Sequence, residues 1–596
     1  MRPIFGIALT LLLAAPLSAP VLAAEPDAPN ALIDRTAAIR MAVQNSLAES
    51  FTATSEQKKD EKGALVEYYS APNQKLLWVD ASGLTDRGKA AIAEIQKADD
   101  YGLRASDYAL PDMTGFNASA PNATEQLADA ELKISHAVLD YAYDARGGRI
   151  TPQRLSKNLD PTLALPNPLE VIESISFRSD PAAYLRSFQP DQPQFELLRK
   201  KLIELRGGSA QAEEDKPAVT IPAGPLLKLG VEDSQVALLR MRLDLPAGDN
   251  PNLYDEAMAD AVRQFQVEHN TAGDGVVGPG TRRMLNQPHL RNTGSPAQIK
   301  AILLNMERWR WLPHDQGRFY VTVNIPEFTL RVVKDDEVIH TARVVVGKTD
   351  KQTPVFSNEM KTVVFGPYWN VPTSIKVEEI RPYVRRSSGG FFFGGGGWNT
   401  AVFQRHNLRI KYGGREVDPG SLDWNRVDIR SLHLYQPPGP GNVLGRVKFV
   451  FPNKHDVYMH DTPQKFLFAK PVRAESHGCM RVQNPDQLAS VILNHDRGWT
   501  QARTLSAFET GYDQHVPLSQ HIPVYITYFT LRVNEDGSIT TFSDLYGHDR
   551  RMASALLDGR STSYAEMDDG IVTQSIPTRQ RARSNDPLEG IFDGFN

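Results

Sequence analysis

The chain has one cysteine among its 596 residues, Cys479, in the run ESHGCMR at positions 475–481. A lone cysteine cannot form a disulfide within its own chain, so the thiol is either buried and inert or retained for chemistry. The residues beside it favour chemistry. Glycine lets the backbone approach a substrate closely, and a nearby imidazole can take the proton of the thiol.

A second run with reactive side chains, VYMHDTP at positions 457–463, ends a strand-like stretch at His460. A free thiol has a pKa of about 8.5, so only a few per cent of it is thiolate at neutral pH. An imidazole that accepts the proton, or pairs with the thiolate, overcomes this limit. The two runs together favour thiol chemistry assisted by a histidine.

The same region contains residues that could be pictured as metal ligands. His455, His460 and His477 are three imidazoles, and Asp456 and Asp461 lie beside two of them. Their spacing matches no HExxH or comparable zinc pattern. We therefore expect neither a metal nor a cofactor.

Both runs lie in a part of the chain whose texture is that of β-strands. Apolar and polar residues alternate in FYVTVNI at 319–325 and in FTLRVV at 328–333, and RVKFVF at 446–451 and VYITYF at 524–529 add further strands. The alternation predicts a β-rich domain with few helices.

Residues 376–440 interrupt this domain. They include SSGGFFFGGGGW at 387–398, which is too rich in glycine for an ordinary strand or helix. We interpret this run as a mobile lid over the active site, with a disordered surface loop as the alternative.

The amino-terminal part of the chain has helical periodicity, for example over residues 127–143. Its aromatic residues, such as Trp78, are expected in a core rather than in a ligand site. Residues 1–24 have the features of a secretory signal cleaved after Ala23 or Ala24, an uncleaved anchor being the alternative. No other stretch reaches the ~20 apolar residues of a membrane-spanning helix.

Composition and length agree with an exported globular protein. Hydrophobic residues are 41% and charged residues 23% of the chain, which is ordinary for globular proteins, and the length suggests about four domains. The net charge of −5 argues against a nucleic-acid partner. We expect these segments: signal peptide 1–24, helical scaffold 31–206, linker 207–224, three-helix unit 226–288, β-rich catalytic domain 298–556 with the insertion 376–440, and disordered tail 557–596.

Two resemblances give these segments a function. AVRQFQ at 261–266 with DGVVGPGT at 274–281 resembles the small three-helix peptidoglycan-binding domain. The histidine and cysteine runs, with YWNVP at 368–372 and PPGPGNVLGRVKF at 437–449, resemble the catalytic motif of L,D-transpeptidases of the YkuD-like fold. The order of the segments resembles the large periplasmic YcbB-type members. The resemblance therefore implies a multidomain α+β protein: a helical scaffold, a peptidoglycan-binding domain and a β-rich catalytic domain.

The resemblance also implies roles for single residues. Cys479 would be the nucleophile and His460 its base. Gly478 and Cys479 would offer backbone N–H groups to the oxyanion, and Ser476 would position the loop or His460. Two departures from the family pattern are Arg481, where many members have asparagine, and Asp461, where several have glycine.

The remaining candidates have less defined roles. His477 would hold the site in shape or contact substrate. Arg481 would support the loop, bind a substrate carboxylate or form an internal ion pair. The expected substrate-binding aromatic and amide side chains are Tyr368, Trp369, Asn370 and Trp398.

The implied reaction is a two-step acyl transfer in the periplasm. A tetrapeptide stem of peptidoglycan would lose D-alanine to form a thioester, and an amine of another stem would resolve it into a 3→3 cross-link; carbapenems would acylate the same thiol. Stem peptides and glycan are the expected partners, together with wall enzymes that supply tetrapeptides. The alternatives are a carboxypeptidase that uses water as the acceptor, and a wall-binding scaffold with a vestigial site.

Overall fold

The computed structural model describes residues 28–49, 55–72, 74–207, 219–243, 245–248, 250–268, 273–286, 296–385 and 398–557. The expected signal peptide, most of the expected linker, the glycine-rich run up to residue 397 and the tail from residue 558 lie outside these residues. The chain divides into two compact units. The first takes the described residues up to 95, 106–140 and 167–184, and the second takes 96–105, 141–166 and the described residues from 185 onward.

The described residues up to 207 are mainly helical and include one short hairpin, as their periodicity predicts. Its elements are α1 (Ala28–Ala48), α2 (Glu56–Ser70), β1 (Val79–Asp80), β2 (Gly83–Leu84), α3 (Asp86–Ile95), α4 (Ala123–Gly147), α5 (Pro152–Leu155), α6 (Pro168–Phe177), α7 (Pro181–Arg186) and α8 (Pro193–Gly207).

The first unit is organised around a buried carboxylate. Glu131 on α4 is fully buried and accepts hydrogen bonds from the backbone N–H groups of Leu77 (2.5 Å), Trp78 (2.8 Å) and Val79 (3.1 Å). Trp78 is also fully buried and donates its indole N–H to Ser135 at 2.9 Å. The expected core role of Trp78 is confirmed.

A three-helix unit follows, with α9 (Ser234–Arg242), α10 (Glu256–Glu268) and α11 (Pro279–Leu285). Its apolar side chains, among them Val236, Leu239 and Val262, form a separate small core. The residue that caps α9 is Asp233, whose side chain accepts from the backbone N–H of Gln235. This unit therefore has the three helices that the sequence predicts, and Ser234 is the first residue of α9.

The last segment is rich in strands. Its helices are α12 (Pro296–Trp309), α13 (Thr373–Ile375, continued by a π-helical turn over Lys376–Ile380), α14 (Ala401–Arg405), α15 (Pro485–Arg497), α16 (Gln501–Thr510) and α17 (His548–Leu557). Its strands are β3 (Phe319–Asn324), β4 (Thr329–Lys334), β5 (Glu337–Gly347), β6 (Phe356–Phe365), β7 (Trp369–Asn370), β8 (Arg409–Tyr412), β9 (Arg415–Val417), β10 (His433–Gln436), β11 (Val447–Val450), β12 (Met459–His460), β13 (Ala474–Ser476), β14 (Met480–Val482), β15 (Gln514–Thr527), β16 (Leu531–Val533) and β17 (Ile539–Thr541).

The main sheet closes on itself. Its strands run in the order β5, β14, β12, β11, β6, β15, β3 and β4, and β4 pairs again with β5. The pairs β12–β14 and β3–β15 are parallel, and the other pairs in this ring are antiparallel. β13 pairs in parallel with the end of β5, at Val346 and Gly347. A closed ring leaves no free sheet edge among these eight strands.

The two faces of this sheet have different surroundings because side chains alternate along a strand. Val447 and Phe449 of β11, Met459 of β12, and Met480 and Val482 of β14 belong to the main hydrophobic core. The residues between them project to the opposite face. That face carries the histidine and cysteine runs.

The described part of the insertion folds together with β7, which precedes it in the chain. β7, β10, β8 and β9 form a four-stranded antiparallel sheet. A separate core includes Phe403 and Trp424, whose rings stack with centroids 5.5 Å apart. The predicted fold class, a helical segment followed by a three-helix unit and a β-rich domain, is thus confirmed.

Candidate active site

The fold brings the histidine and cysteine runs together through two short neighbouring strands. β12 and β14 pair in parallel, with Met459 opposite Met480 and His460 opposite Arg481. The backbone N–H of Met480 also donates to the carbonyl of Tyr458 at 3.1 Å. Alternation therefore places His460 and Arg481 on the face away from the core, and Cys479, two residues before Arg481, lies at the same edge.

One hydrogen bond determines which nitrogen of His460 can act as a base. Its Nδ1–H donates to the backbone carbonyl of Asp461 at 2.5 Å, so Nε2 is left with its lone pair. Burial, reinforced by the positive charge of Arg481, lowers the pKa of His460 to about 3. The imidazole is therefore neutral at neutral pH and able to accept a proton.

The thiol is uncharged at rest as well. Cys479 is half-buried, with its Sγ 3.9 Å from the backbone carbonyl of Asp456. Burial raises the pKa of the Cys479 thiol, although hydrogen bonds from Tyr458 and the positive charges of Lys448 and Arg481 act in the opposite direction. At neutral pH the thiol and the imidazole of His460 are therefore both neutral, which are the protonation states of general-base activation rather than those of a preformed ion pair.

The loop before Cys479 is held by two hydroxyl groups. Ser476 Oγ accepts from the N–H of Gly478 at 3.1 Å and donates to the carbonyl of Cys479 at 2.6 Å. Thr353 Oγ1 donates to the carbonyl of Gly478 at 2.7 Å. The backbone of Gly478 has φ 113°, a conformation that side-chain-bearing residues rarely adopt.

These contacts distinguish the two expected oxyanion donors. The N–H of Gly478 is engaged by Ser476, so it is not free to bind an oxyanion. A trans peptide holds its C=O and N–H in opposite directions, so the bond from Thr353 to the Gly478 carbonyl aims the Cys479 N–H away from Thr353. Of the two, Cys479 N–H is the donor that remains.

His477 points to the insertion. Its Nε2 lies 2.5 Å from Oε1 of Glu379, which belongs to the π-helical turn after α13. The neighbouring Glu378 pairs with Lys351 at 2.5 Å. The first contact fastens the start of the insertion to the cysteine loop, and the second fastens it to the loop between β5 and β6. The first is the kind of contact that a role of His477 in holding the site in shape would require.

Arg481 is buried, with 5% of its surface exposed, and its guanidinium donates to Gln464 Oε1. Burial also lowers the pKa of Arg481 to about 10. Of the roles predicted for Arg481, the geometry favours support of the site from within. A substrate carboxylate has little access to it.

The expected substrate-binding residues divide into two groups. Trp369 is buried at 3% exposure in the core of the insertion, and Trp398 packs half-buried against that core, so Trp369 is a core residue instead of an exposed contact. Tyr368 is half-buried, and its hydroxyl lies 3.1 Å from that of Tyr512. This hydrogen bond raises the pKa of Tyr368 to about 12. Asn370 is exposed and its Oδ1 lies 2.9 Å from Nε2 of His433.

The histidines and aspartates that resemble metal ligands in the sequence make hydrogen bonds to different partners. His455 Nε2 lies 2.9 Å from Asp160 Oδ2, and the buried carboxylate of Asp461 accepts from the N–H groups of Arg446 (2.9 Å) and Thr462 (2.7 Å). In the described residues, no three His, Cys, Asp or Glu side chains are grouped as metal ligands.

Three residues near the cysteine were not singled out from the sequence: Thr353, Lys448 and Glu379. Lys448 lies directly opposite His460 in the pairing of β11 with β12. The alternation of the run RVKFVF could have indicated that Lys448 projects away from the core, but not which strand lies beside it. Thr353 and Glu379 contact the cysteine loop although each is more than 95 residues away from its partner in the sequence. No local sequence pattern marks either residue.

Comparison with known proteins defines the class. Residues 318–503 match the L,D-transpeptidase catalytic domain of the YkuD family, residues 230–285 match a peptidoglycan-binding domain, and residues 63–202 match a scaffold domain. Residues 318–503 therefore form a domain of the YkuD family of L,D-transpeptidase catalytic domains.

The similar individual proteins agree with this class over part of the chain. A protein of Haemophilus influenzae, provisionally described as an L,D-transpeptidase, is 31% identical over 252 residues, which are 42% of this chain and 48% of that protein. The chain thus matches about half the length of this curated relative.

Two solved structures are similar at low identity. One is an L,D-transpeptidase fragment from Xylanimonas cellulosilytica, with 14% identity, a TM-score of 0.15 and coverage of 51% of this chain and 98% of the other. The second is a fused Zn-dependent amidase, peptidase and peptidoglycan-binding protein from Clostridium acetobutylicum, with 15% identity, a TM-score of 0.14 and coverage of 51% and 99%. With TM-scores this low, neither structure supports an argument about this chain.

Proposed function

We propose that this protein is a peptidoglycan L,D-transpeptidase with Cys479 as the nucleophile and His460 as the general base. The observation that carries this proposal is the hydrogen bond from His460 Nδ1–H to the Asp461 carbonyl. It leaves Nε2 as a proton acceptor on the face where the cysteine run begins its strand. The raised pKa of Cys479 means that the sulfur needs such a base.

The first half of the reaction forms a thioester. His460 Nε2 takes the thiol proton while Sγ attacks the carbonyl carbon of the third residue of a tetrapeptide stem. The Cys479 N–H donates to the oxyanion that develops on this carbonyl. The C–N bond to D-alanine then breaks, and the proton held by His460 passes to the leaving amine.

The second half transfers the acyl group to an amine. The side-chain amine of a diamino acid on another stem attacks the thioester carbonyl and loses a proton to His460 Nε2. The C–S bond breaks, and the thiolate recovers that proton. The product is a 3→3 cross-link; with water in place of the amine, the same residues would give a shortened stem.

The experiment is mass spectrometry of purified tetrapeptide muropeptides after incubation with the protein. We expect a dimer whose mass is two monomers less one D-alanine, and no dimer with Cys479→Ala. A shortened monomer without dimer would assign carboxypeptidase activity instead. No product from either protein, with folding verified, would contradict the proposal and favour the scaffold alternative.

The location and the other interactions are part of the proposal. The matches to an L,D-transpeptidase catalytic domain and a peptidoglycan-binding domain support a location outside the cytoplasm, and we propose the periplasm, reached by the signal of residues 1–24. None of the helices in the described parts of the chain is long and apolar enough to cross a membrane. We propose the three-helix unit as the glycan-binding part, wall enzymes that make tetrapeptides as suppliers of donor, and carbapenems as acylating inhibitors of Cys479.

A further inference from the structure

Lys448 places a positive charge beside the proposed catalytic pair. It lies on β11 directly opposite His460 on β12. Side chains of opposite residues in antiparallel strands project from the same face of the sheet. The neighbours Val447 and Phe449 are completely buried in the main core, so Lys448 must project to the face that carries His460.

The ammonium of Lys448 has an aromatic partner and no carboxylate partner. Its Nζ lies 3.8 Å from the centroid of the Tyr458 ring, in the arrangement of a cation–π contact. In the described part of the chain no carboxylate lies within ion-pairing distance of Nζ, and Asp456 and Asp513 act on it only from farther away. Its ammonium and the sulfur of Cys479 are close enough to influence each other's ionisation.

Lys448 also differs from Arg481, which lies opposite His460 in the pairing of β12 with β14. Arg481 is buried and already donates to Gln464, whereas Lys448 is half-buried and retains access to solvent. A cation that is partly desolvated, without an anionic partner and beside a nucleophile, is suited to binding an anion that arrives with the substrate.

The proposed donor brings such an anion to this position. In a tetrapeptide stem, the carboxylate of the terminal D-alanine is joined to the attacked carbonyl carbon through one nitrogen and one Cα. The two carbons are therefore at most about 4 Å apart. Wherever Sγ meets the carbonyl, the terminal carboxylate lies next to it.

We propose that Lys448 binds the terminal carboxylate of the donor stem and thereby restricts the enzyme to donors with a free carboxyl terminus. This inference rests on the proposed function, because it takes Cys479 as the nucleophile. It assigns the carboxylate-binding role to Lys448 in place of Arg481. Lys448 is a specificity residue in this account and takes no part in proton transfer.

The test compares two ligands that differ in one group: a tetrapeptide stem that ends in D-alanine as the free acid, and the same peptide as the terminal amide. Binding of each is measured by calorimetry to the full-length Cys479→Ala protein, which requires no turnover. We expect the acid to bind roughly 10–100-fold more tightly than the amide, the range of a charge-assisted hydrogen bond. Adding Lys448→Met should lower the affinity for the acid to that for the amide and leave the affinity for the amide unchanged.

Two further variants and one control complete the test. Lys448→Arg should keep part of the preference for the acid, because it keeps the charge. Lys361→Met removes an exposed lysine from β6 of the same sheet and should change neither affinity. A third peptide carries lysine in place of the diamino acid and therefore lacks the second carboxylate of that residue. Its affinity shows whether that carboxylate, rather than the terminal one, is the group bound.

Several outcomes would overturn the inference. A preference for the acid that survives Lys448→Met, or equal weakening of acid and amide, would refute it. A shift in the pH profile of iodoacetamide alkylation of Cys479 in Lys448→Met, with the preference for the acid intact, would show that Lys448 acts on the thiol alone. If neither peptide binds, the proposed substrate class fails and the inference fails with it, whereas binding without acid preference refutes the inference only.

Discussion

At the scale of single residues, Asp461 connects the histidine to the rest of the site. Its backbone carbonyl orients His460, and its buried carboxylate accepts from the N–H of Arg446 and of Thr462. Gly445 leaves room for that carboxylate, since a Cβ at this position would lie 2.4 Å from it. The departure from glycine at position 461 therefore supplies hydrogen bonds that hold the histidine run in place.

The ionisation of Cys479 gives a first prediction. Because burial raises its pKa, the rate of alkylation by iodoacetamide should reach half of its maximum at a pH above about 8.5, the midpoint for an ordinary thiol. Because the pKa of His460 is about 3, no thiolate–imidazolium pair should be present near pH 6. Stopped-time alkylation followed by mass spectrometry measures this profile. A rate that is already constant between about pH 5 and 7 would indicate a preformed ion pair.

The role of His460 gives a second prediction. His460→Gln should slow acylation by a carbapenem about 10²–10⁴-fold, the usual contribution of a positioned base. His455→Gln is the matched control, since His455 lies in the same segment but contacts Asp160. Acylation is measured by intact-protein mass spectrometry under single-turnover conditions. Equal acylation rates for the His460 variant and the parent protein would show that His460 is not the general base.

At the scale of elements, the loop before β14 is positioned by a residue from a distant part of the chain. Thr353 is fully buried, accepts from the N–H of Gly347 at 2.9 Å and donates to the carbonyl of Gly478 at 2.7 Å. The hydroxyl of Tyr546 accepts from the N–H of Thr353 at 3.2 Å and donates to the carbonyl of Gly347 at 2.7 Å. This network fixes the peptide whose N–H is the remaining oxyanion donor.

Thr353→Val is the third prediction. It should lower the rate of acylation by about 10–100-fold, less than the 10²–10³-fold cost of removing an oxyanion donor outright. Alkylation of Cys479 by iodoacetamide should be unchanged, because that reaction forms no oxyanion. Thr353→Ser keeps the hydroxyl and should restore acylation. An equal loss in both reactions would mean that Thr353 supports the fold and does not aim the donor.

At the scale of the whole molecule, the chain consists of two compact units, each with its own core. The first unit depends on the contacts of Glu131, and the second contains the closed sheet with the cysteine. Separate cores allow separate unfolding transitions, so a single free energy of unfolding does not describe this chain.

Glu131→Ala gives the fourth prediction. It leaves three buried backbone N–H groups without an acceptor, and each such group costs about 1–3 kcal/mol. The first unit should lose stability in hydrogen exchange, while the alkylation rate of Cys479 stays the same. Asp129→Ala, which removes an exposed carboxylate from the same helix, is the control. A parallel loss of protection in the strands around Cys479 would show that the two units unfold together.

Much of this architecture could be predicted from local patterns. Helical periodicity indicates the amino-terminal helices, and alternation indicates the strands, because both depend on residues close together in sequence. The structure of the insertion was harder to predict. The described part of the insertion joins β7 in a four-stranded sheet with a separate core, whereas glycine-rich composition alone suggested a lid, and that run up to residue 397 lies outside the described residues.

The sequence by itself determined which residues are candidates for chemistry: one thiol, a histidine run and their flanking residues are local features, and they carry the resemblance to L,D-transpeptidases. Only the tertiary structure decided which groups surround the thiol. In the tertiary structure Lys448 lies opposite His460, and Trp369 and Arg481 are buried. The N–H of Gly478 donates to the hydroxyl of Ser476. The physical reason is that strand register depends on packing between segments far apart in sequence, and a shift of one residue would turn each side chain to the other face.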